Sequence, residues 1–348
     1  MASAPTPNAA IGSFALFSRD ERTHTLFRAS WLAAIKSVGG TSVSKCRGFG
    51  IVALVRYVHG FWQLRHTSRL VFGTSEVLLT IAFGKASDIL VFTGLGRLLQ
   101  AGGKMSKLVR ILLGLGYRGQ AVISLNVDDQ RYLSTLFSTE VLLINGEGYG
   151  FSEQPLSIRP SVPLRLGYVG RLLRSKAVDQ LICIAGQLEG CRLTLIGDVD
   201  FGNSDGVDPN WIQEQAYRSG GRIRHLGFVD DVKAALQDID VVVSMSVREG
   251  LPFSILDAID SGCLAILSPV PGHMSFEGIE GVLFTEANSL ATLLQNVIAT
   301  PSEYFQYDPQ RRKLACHARF GFDEITRSIR EVLVERTRLS STVGVSCE

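Results

Sequence analysis

Paired cysteines are missing from this 348-residue chain: its six, at 46, 183, 191, 263, 316 and 347, include no C-x-x-C pair and no histidine partners at ligand spacing. That excludes a sequence-encoded zinc site and a disulfide framework, and it fits a reducing cytoplasm. Long apolar runs are missing too. The stretches 51–62 and 71–83 are broken by Arg56, His59, Gly73 and Glu76, short of the ~20 residues a membrane span needs. The opening Met-Ala-Ser-Ala-Pro-Thr-Pro-Asn has no basic segment leading into an apolar one, so no secretory signal is expected. A dinucleotide fingerprint is incomplete, because Gly94-Leu95-Gly96 is followed by Leu99 where the third glycine would stand. A nicotinamide-dependent oxidoreductase is set aside on that ground.

What remains is globular and somewhat apolar, 46% hydrophobic and 20% charged, and long enough for two domains with separate cores. The net charge of +2 hides an asymmetry. Residues 1–150 hold 16 Lys and Arg against 8 Asp and Glu, while the remainder holds 19 against 25. A basic first half suits an anionic membrane surface or a phosphate-bearing partner. Residues 1–10 read as a disordered leader. In 11–150, strands near 11–17, 70–73, 88–92, 121–125 and 141–144 alternate with helices near 23–38, 51–64, from 75, 105–115 and 126–137, the pattern of a parallel, doubly wound sheet. Glycine and proline mark 151–163 as a linker. A second α/β domain spans 164–320. A C-terminal helix over 321–336, with a packing face of Ile325, Ile329, Val332 and Leu333, is expected to fold back on the N-terminal domain, and 337–348 is expected to be a loose tail.

The second domain is organised around Ser244 to Ala258. The run Ile239 to Val243 reads as a buried parallel strand. Gly250 permits a turn, and Pro252 suits the first turn of the next helix. Free N–H groups at that helix start form an anion site at the carboxyl end of a strand. Glu249 in the loop and Asp257, about a turn and a half into the helix, flank it. Phosphate affinity beside two carboxylates suits a nucleotide sugar. After the domain's first strand come Gly170 and Arg171, then Lys176, two cations at a strand's carboxyl end in the same sheet. Asp198-Val199-Asp200 and Asp238-Ile239-Asp240 carry the Asp-x-Asp spacing that can hold a divalent metal. Asp238 and Asp240 precede a buried strand, however, and are read as a helix-to-strand connection; no metal is assigned.

The segments Tyr168-Val169-Gly170-Arg171 with Lys176, Leu195-Ile196-Gly197, Leu226 to Val232 and Ser246 to Ala258, with Pro269 to Gly272 beyond, together resemble the C-terminal domain of family 4 glycosyltransferases. The resemblance implies an α/β fold of the GT-B type, two Rossmann-like domains facing each other across a cleft. It implies a retaining transferase that needs no cofactor, of the type building bacterial lipid-linked oligosaccharides and surface polysaccharides. Arg171 and Lys176 would neutralise the departing diphosphate, and Glu249 would hold sugar hydroxyls. Gly170, Gly250, Leu251 and Pro252 would shape the donor site, Phe228 and Val229 would hold the base through backbone contacts, and Asp257 would take the ribose position. The implied partners are a UDP- or GDP-sugar and a lipid-linked or saccharide acceptor, with an anionic membrane surface beneath and no nucleic acid. The implied location is cytoplasmic, peripheral on the inner face of the membrane. Asp257 is one methylene shorter than the family's glutamate, and Ala177 stands where the family prefers glycine. The competing reading is a non-catalytic sugar-nucleotide-binding partner of another transferase.

Overall fold

A computed structural model describes residues 14–18, 29–38, 42–45, 68–72, 77, 84–93, 95, 103–154, 156, 160–200 and 202–343. The leader, the helix expected over 51–64, and most of the helix expected from 75 lie outside the described residues. The chain forms two compact units, one of residues 1–148 with 320–348 and the other of 149–319.

The first unit holds six parallel strands, β1 (Phe14–Ser18), β2 (Ser42–Lys45), β3 (Ser68–Phe72), β4 (Ile89–Phe92), β5 (Ala121–Ser124) and β6 (Leu142–Leu143), in the order β2-β1-β3-β4-β5-β6. Among the described residues its helices include α1 (Ala29–Ser37), α2 (Lys104–Gly116) and α3 (Val127–Phe137), with the C-terminal helix described below. Strand side chains alternate between faces, and both faces are apolar. Leu70, Phe72, Ile89, Val91, Ala121 and Ile123 point to one side, against Trp31, Ala34 and Ile35 of α1. Val71, Leu90, Phe92 and Val122 point to the other, against Val109 and Leu113 of α2 and Leu133 and Phe137 of α3. The Asn126 side chain caps α3 by accepting from the Asp129 amide at 2.8 Å, and Asp128 and Asp129 lie in its first turn, where the helix dipole favours acids. A charged pair sits inside this unit. Arg69 donates to Asp88 through Nε (3.0 Å) and Nη2 (2.6 Å), and both side chains are buried.

The second unit holds β7 (Leu164–Val169), β8 (Cys191–Ile196), β9 (Ile223–His225), β10 (Val241–Ser244), β11 (Leu264–Leu267) and β12 (Val282–Phe284) in the order β12-β11-β10-β7-β8-β9, every pairing parallel. Counting from β7, this is the 3-2-1-4-5-6 order of a Rossmann sheet. The helices are α4 (Val178–Gln187), α5 (Pro209–Arg218), α6 (Val232–Leu236), α7 (Phe253–Asp260), α8 (Leu290–Ala299), α9 (Pro301–Tyr304) and α10 (Pro309–Phe320). β10, the Val-Val-Val-Ser centre of the sheet, is buried throughout.

The structure moves two boundaries and adds a strand. The second unit begins at Tyr149 rather than 164, because the connecting segment is fastened into it: the Ser152 amide donates to both oxygens of Asp260 (3.0 and 3.1 Å), while Lys233 and Lys313 reach the same carboxylate at 2.5 and 2.9 Å. Burial opposes ionisation of Asp260, yet these hydrogen bonds hold its carboxyl below the usual value. The last helix, α11 (Phe322–Val343), runs past the end expected at 336, since no glycine or proline interrupts it before Gly344. It is part of the first unit, where Ile325, Ile329 and Leu333 join the cluster around Trp31. The strand β2 was not foreseen. Its Ser-Val-Ser-Lys holds one apolar residue, and only its pairing with β1 at the sheet edge makes it a strand. Among the described residues no helix is long and apolar enough to cross a membrane.

Candidate functional site

Strand order in the second sheet reverses between β7 and β10, and open α/β sheets bind ligands in the crevice at the carboxyl ends of such a pair. The loop after β7 carries Gly170, Arg171 and, in a 3₁₀ turn over Arg174–Lys176, the lysine. The loop after β10 carries Glu249. The two loops meet at this switch point: Lys176 Nζ donates to Glu249 Oε1 at 2.5 Å, with only 24% and 16% of the side chains exposed. The Val247 amide donates to the Ser175 carbonyl at 3.0 Å and fixes the loops together a second time.

Backbone close approach sets the width of this region. A Cβ on Gly197, after β8, would lie 2.0 Å from the Gly170 carbonyl oxygen, and one on Gly272, after β11, would lie 1.7 Å from the Gly250 oxygen. Only glycine fits either place. Tyr168 supports the first turn from beneath, donating its hydroxyl to the Arg171 carbonyl at 2.7 Å; burial raises the pKa of this phenol and keeps it a donor. Ala177 closes the 3₁₀ turn at φ 52, a left-handed conformation in which glycine is relaxed and alanine is strained.

Behind Glu249 lies a polar network that sequence reasoning did not single out. Ser246 Oγ donates to the same Glu249 oxygen at 2.7 Å. Ser268 Oγ donates to the Ser246 carbonyl at 2.7 Å. His273, fully buried, stands with Nδ1 2.9 Å from the Ser268 carbonyl and Nε2 3.2 Å from Ser244 Oγ. A carbonyl can only accept, so Nδ1 carries the proton and Nε2 accepts from Ser244. Burial lowers the His273 pKa, with the nearby Glu249 charge pulling the other way. The signal available in the sequence was the pair Ser244 and Ser246 at one-face spacing at the end of the strand; Ser268 and His273 come from the next strand's loop and had none.

The remaining candidates are distributed along the same edge. Arg171, 66% exposed, is tied to Asp200 Oδ2 at 2.9 Å rather than to Glu249. Pro252 occupies the cap position of α7, one residue outside the helix, and neither a side-chain cap nor an acid in the first turn competes for the N–H groups there. Gly250 and Leu251 are half-buried in the loop that leads to it. Phe228 and Val229 follow β9, with Phe228 72% exposed, and the Gly197 amide donates to the Gly227 carbonyl at 2.8 Å. From β10 to β9 is three strand spacings, about 14 Å at the usual ~4.8 Å each, room for an extended ligand. Asp257 has a tyrosine partner. Tyr149, from the segment entering this unit, donates its hydroxyl to Asp257 Oδ1 at 2.6 Å, and Lys233 Nζ lies 5.0 Å from the centre of the tyrosine ring. Burial raises the Asp257 pKa, while the Tyr149 hydrogen bond and the Lys233 charge hold it back. Asp240 of the Asp-x-Asp pair lies at the amino end of β10, away from the switch point, and is buried against Arg165 Nη2 at 2.8 Å.

Residues 163–300, which contain all of β7–β12, match the family model described as glycosyl transferases group 1. Among solved structures the chain is similar to Anabaena HepE in complex with UDP, at 16% identity over 93% of this chain and 100% of that one, with a TM-score of 0.69. It is similar to sucrose-phosphate synthase from Thermosynechococcus elongatus, at 16% identity over 95% and 100% with a TM-score of 0.73, and to the lipopolysaccharide outer core galactosyltransferase WaaB, at 14% over 94% and 99% with 0.69. A search of curated proteins by sequence returns no match. The fold is GT-B, as the sequence led us to expect, and its second unit carries the glycosyl transferases group 1 pattern.

Proposed function

We propose that this chain is a retaining glycosyltransferase of the family 4 type, moving a sugar from a UDP- or GDP-sugar to the hydroxyl of a lipid-linked saccharide during bacterial surface polysaccharide synthesis. The observation that carries the reading is the Lys176–Glu249 pair at the β7/β10 switch point. A cation and a carboxylate there meet the two ends of one reacting bond, with the diphosphate on one side and the sugar on the other. HepE, of the same fold, has been crystallised with UDP-glucose.

In this reading the donor lies along the loops, with its base at Phe228 and Val229, its diphosphate between Arg171, Lys176 and the N–H groups opening α7, and its sugar at Glu249. Asp257 and its partner Tyr149 face the ribose. The bond from the anomeric carbon to the phosphate oxygen breaks, and the acceptor oxygen bonds to that carbon on the same face. The acceptor proton passes to the departing phosphate oxygen, whose added negative charge Lys176 and Arg171 stabilise. Glu249 opposes the positive charge that develops on the sugar. The basic first 150 residues suit an acceptor embedded at the cytoplasmic face of an anionic membrane.

The test is thermal shift against UDP-, GDP- and ADP-sugars, followed by hydrolysis of whichever donor stabilises the protein. Stabilisation by one donor and its slow hydrolysis, both lost in Lys176→Ala, is the expected result. Stabilisation without turnover would favour the non-catalytic binder, and no stabilisation by any donor would overturn the donor site.

A further inference from the structure

Helix α2 is amphipathic in an unusual sense. Its inward face packs Val109 and Leu113 into the core of the first unit. Its outward face, which ordinarily would be polar, carries Leu108, Ile111 and Leu115, exposed by 49, 60 and 70%. These stand three and four residues apart and therefore form one stripe. Lys104 and Lys107, both exposed, lie at the stripe's first turn, and exposed Arg118 lies just past its end. Among the described residues neither lysine forms an ion pair. From residue 89 to residue 127 the sequence has five Lys and Arg and no Asp or Glu. At 13 residues the helix offers a strip about 20 Å long.

We propose that α2 is the membrane-docking element of this protein, lying flat on an anionic leaflet with Leu108, Ile111 and Leu115 among the acyl chains and Lys104, Lys107 and Arg118 among the headgroup phosphates. An aliphatic stripe set among cations is the composition of interfacial helices, whose apolar face sinks ~5–10 Å into the headgroup boundary. Charge complementarity selects the occupant. A second copy of the same face would bring Lys104 and Lys107 against their like with no acid to offset them, whereas an anionic leaflet supplies the opposite charge. The proposal deepens the membrane side of the function above and rests on it.

Flotation with vesicles of phosphatidylglycerol and phosphatidylcholine in equal parts, against pure phosphatidylcholine, tests it. The full chain should float with the mixed vesicles, less so at high salt, and not with the neutral ones. Combined Leu108→Ser, Ile111→Ser and Leu115→Ser should weaken partitioning at least about a hundredfold, since each buried methylene is worth about fourfold. Lys104→Glu with Lys107→Glu should weaken it more than about twentyfold, at about fivefold per cation, and flatten its salt dependence. All five side chains are exposed, so the thermal midpoint should be unchanged, and donor hydrolysis without vesicles should match the parent. Equal flotation of parent and variants would overturn the role of α2 while leaving a membrane reading intact. Failure of the parent to float, or equal flotation with neutral vesicles, would overturn both. A concentration-dependent dimer in light scattering without lipid, abolished by the triple change, would give the stripe to a second copy instead. None of these outcomes depends on whether the donor site turns over.

Discussion

Replacing Glu249 with glutamine removes a charge and keeps the shape, and the structure says what should follow. Lys176 is bound to Glu249 at 2.5 Å, with both side chains mostly shielded from solvent. A hydrogen bond between charged groups of this kind contributes ~1.5–3 kcal/mol. In the proposed reaction a diphosphate must therefore share Lys176 with the carboxylate. In Glu249→Gln that competition falls away, so affinity for UDP or GDP should be unchanged or up to about tenfold tighter. The chemical step should suffer, because no charge then opposes the one developing on the sugar, and loss of such a group costs about 100-fold or more in kcat. Steady-state transfer with a saturable donor gives kcat and KM, and calorimetric titration with the nucleoside diphosphate gives the affinity. The expected signature is a low kcat with an unraised donor KM, a pattern that misfolding does not produce. A donor KM raised tenfold with kcat intact would refute the reasoning, since Glu249 would then bind ground state and transition state alike.

If Arg171, Lys176 and the start of α7 carry the diphosphate charge as proposed, excess EDTA should leave turnover unchanged; activity lost and then restored by magnesium or manganese would contradict this. Asp257→Ala should raise the donor KM about ten- to a hundredfold and spare kcat, on the scale of hydroxyl-to-carboxylate hydrogen bonds, and an unchanged KM would remove Asp257 from the ribose site. The buried His273 has a lowered pKa, so below about pH 6.5 the unfolded chain takes up a proton there that the folded chain resists. Stability should thus be fully present above that pH and fall as the pH drops towards the folded value, and urea midpoints should show this slope flattened in His273→Asn; equal slopes would place the acid sensitivity elsewhere. Asp88→Ala removes the bidentate partner of the buried Arg69, which should cost ~3–5 kcal/mol in denaturant unfolding, and a loss under ~1 kcal/mol would mean that other contacts of the guanidinium or water offset it.

The second unit was legible because its signals are local. Val241 to Val243 is an uninterrupted β-branched run, and the cation and carboxylate that it and β7 deliver stand within a few residues of strand ends. That Lys176 and Glu249 touch follows from strand order, which the sequence suggests only through the alternation of elements. Tyr149 was not legible. It reaches Asp257 across 108 residues, and nothing in its neighbourhood of glycines distinguishes a linker tyrosine from a ligand-site one. The preference for glycine at position 177 has a physical cause in the backbone: φ there is 52, and the alanine tolerates it while its methyl group stays buried. His273 shows the opposite limit, a residue whose meaning depends on Ser268 of its own loop, on Ser244 at the end of the neighbouring strand and on the exclusion of water.

The placement of α11 in the first unit makes the second unit an insertion. The chain leaves after Gly148 and returns at Phe320, and the two ends of that excursion are adjacent, since a Cβ on Gly148 would lie 3.3 Å from the Phe322 Cα. A ribosome making this protein therefore finishes the second unit first, although it begins the other one earlier. Until the last residues emerge, Trp31, Ala34 and Ile35 wait without Ile325, Ile329 and Leu333, and one face of the first sheet stays partly open to water. A stop codon a few residues after 319 would spare the second unit and expose the apolar interior of the half whose synthesis began before it.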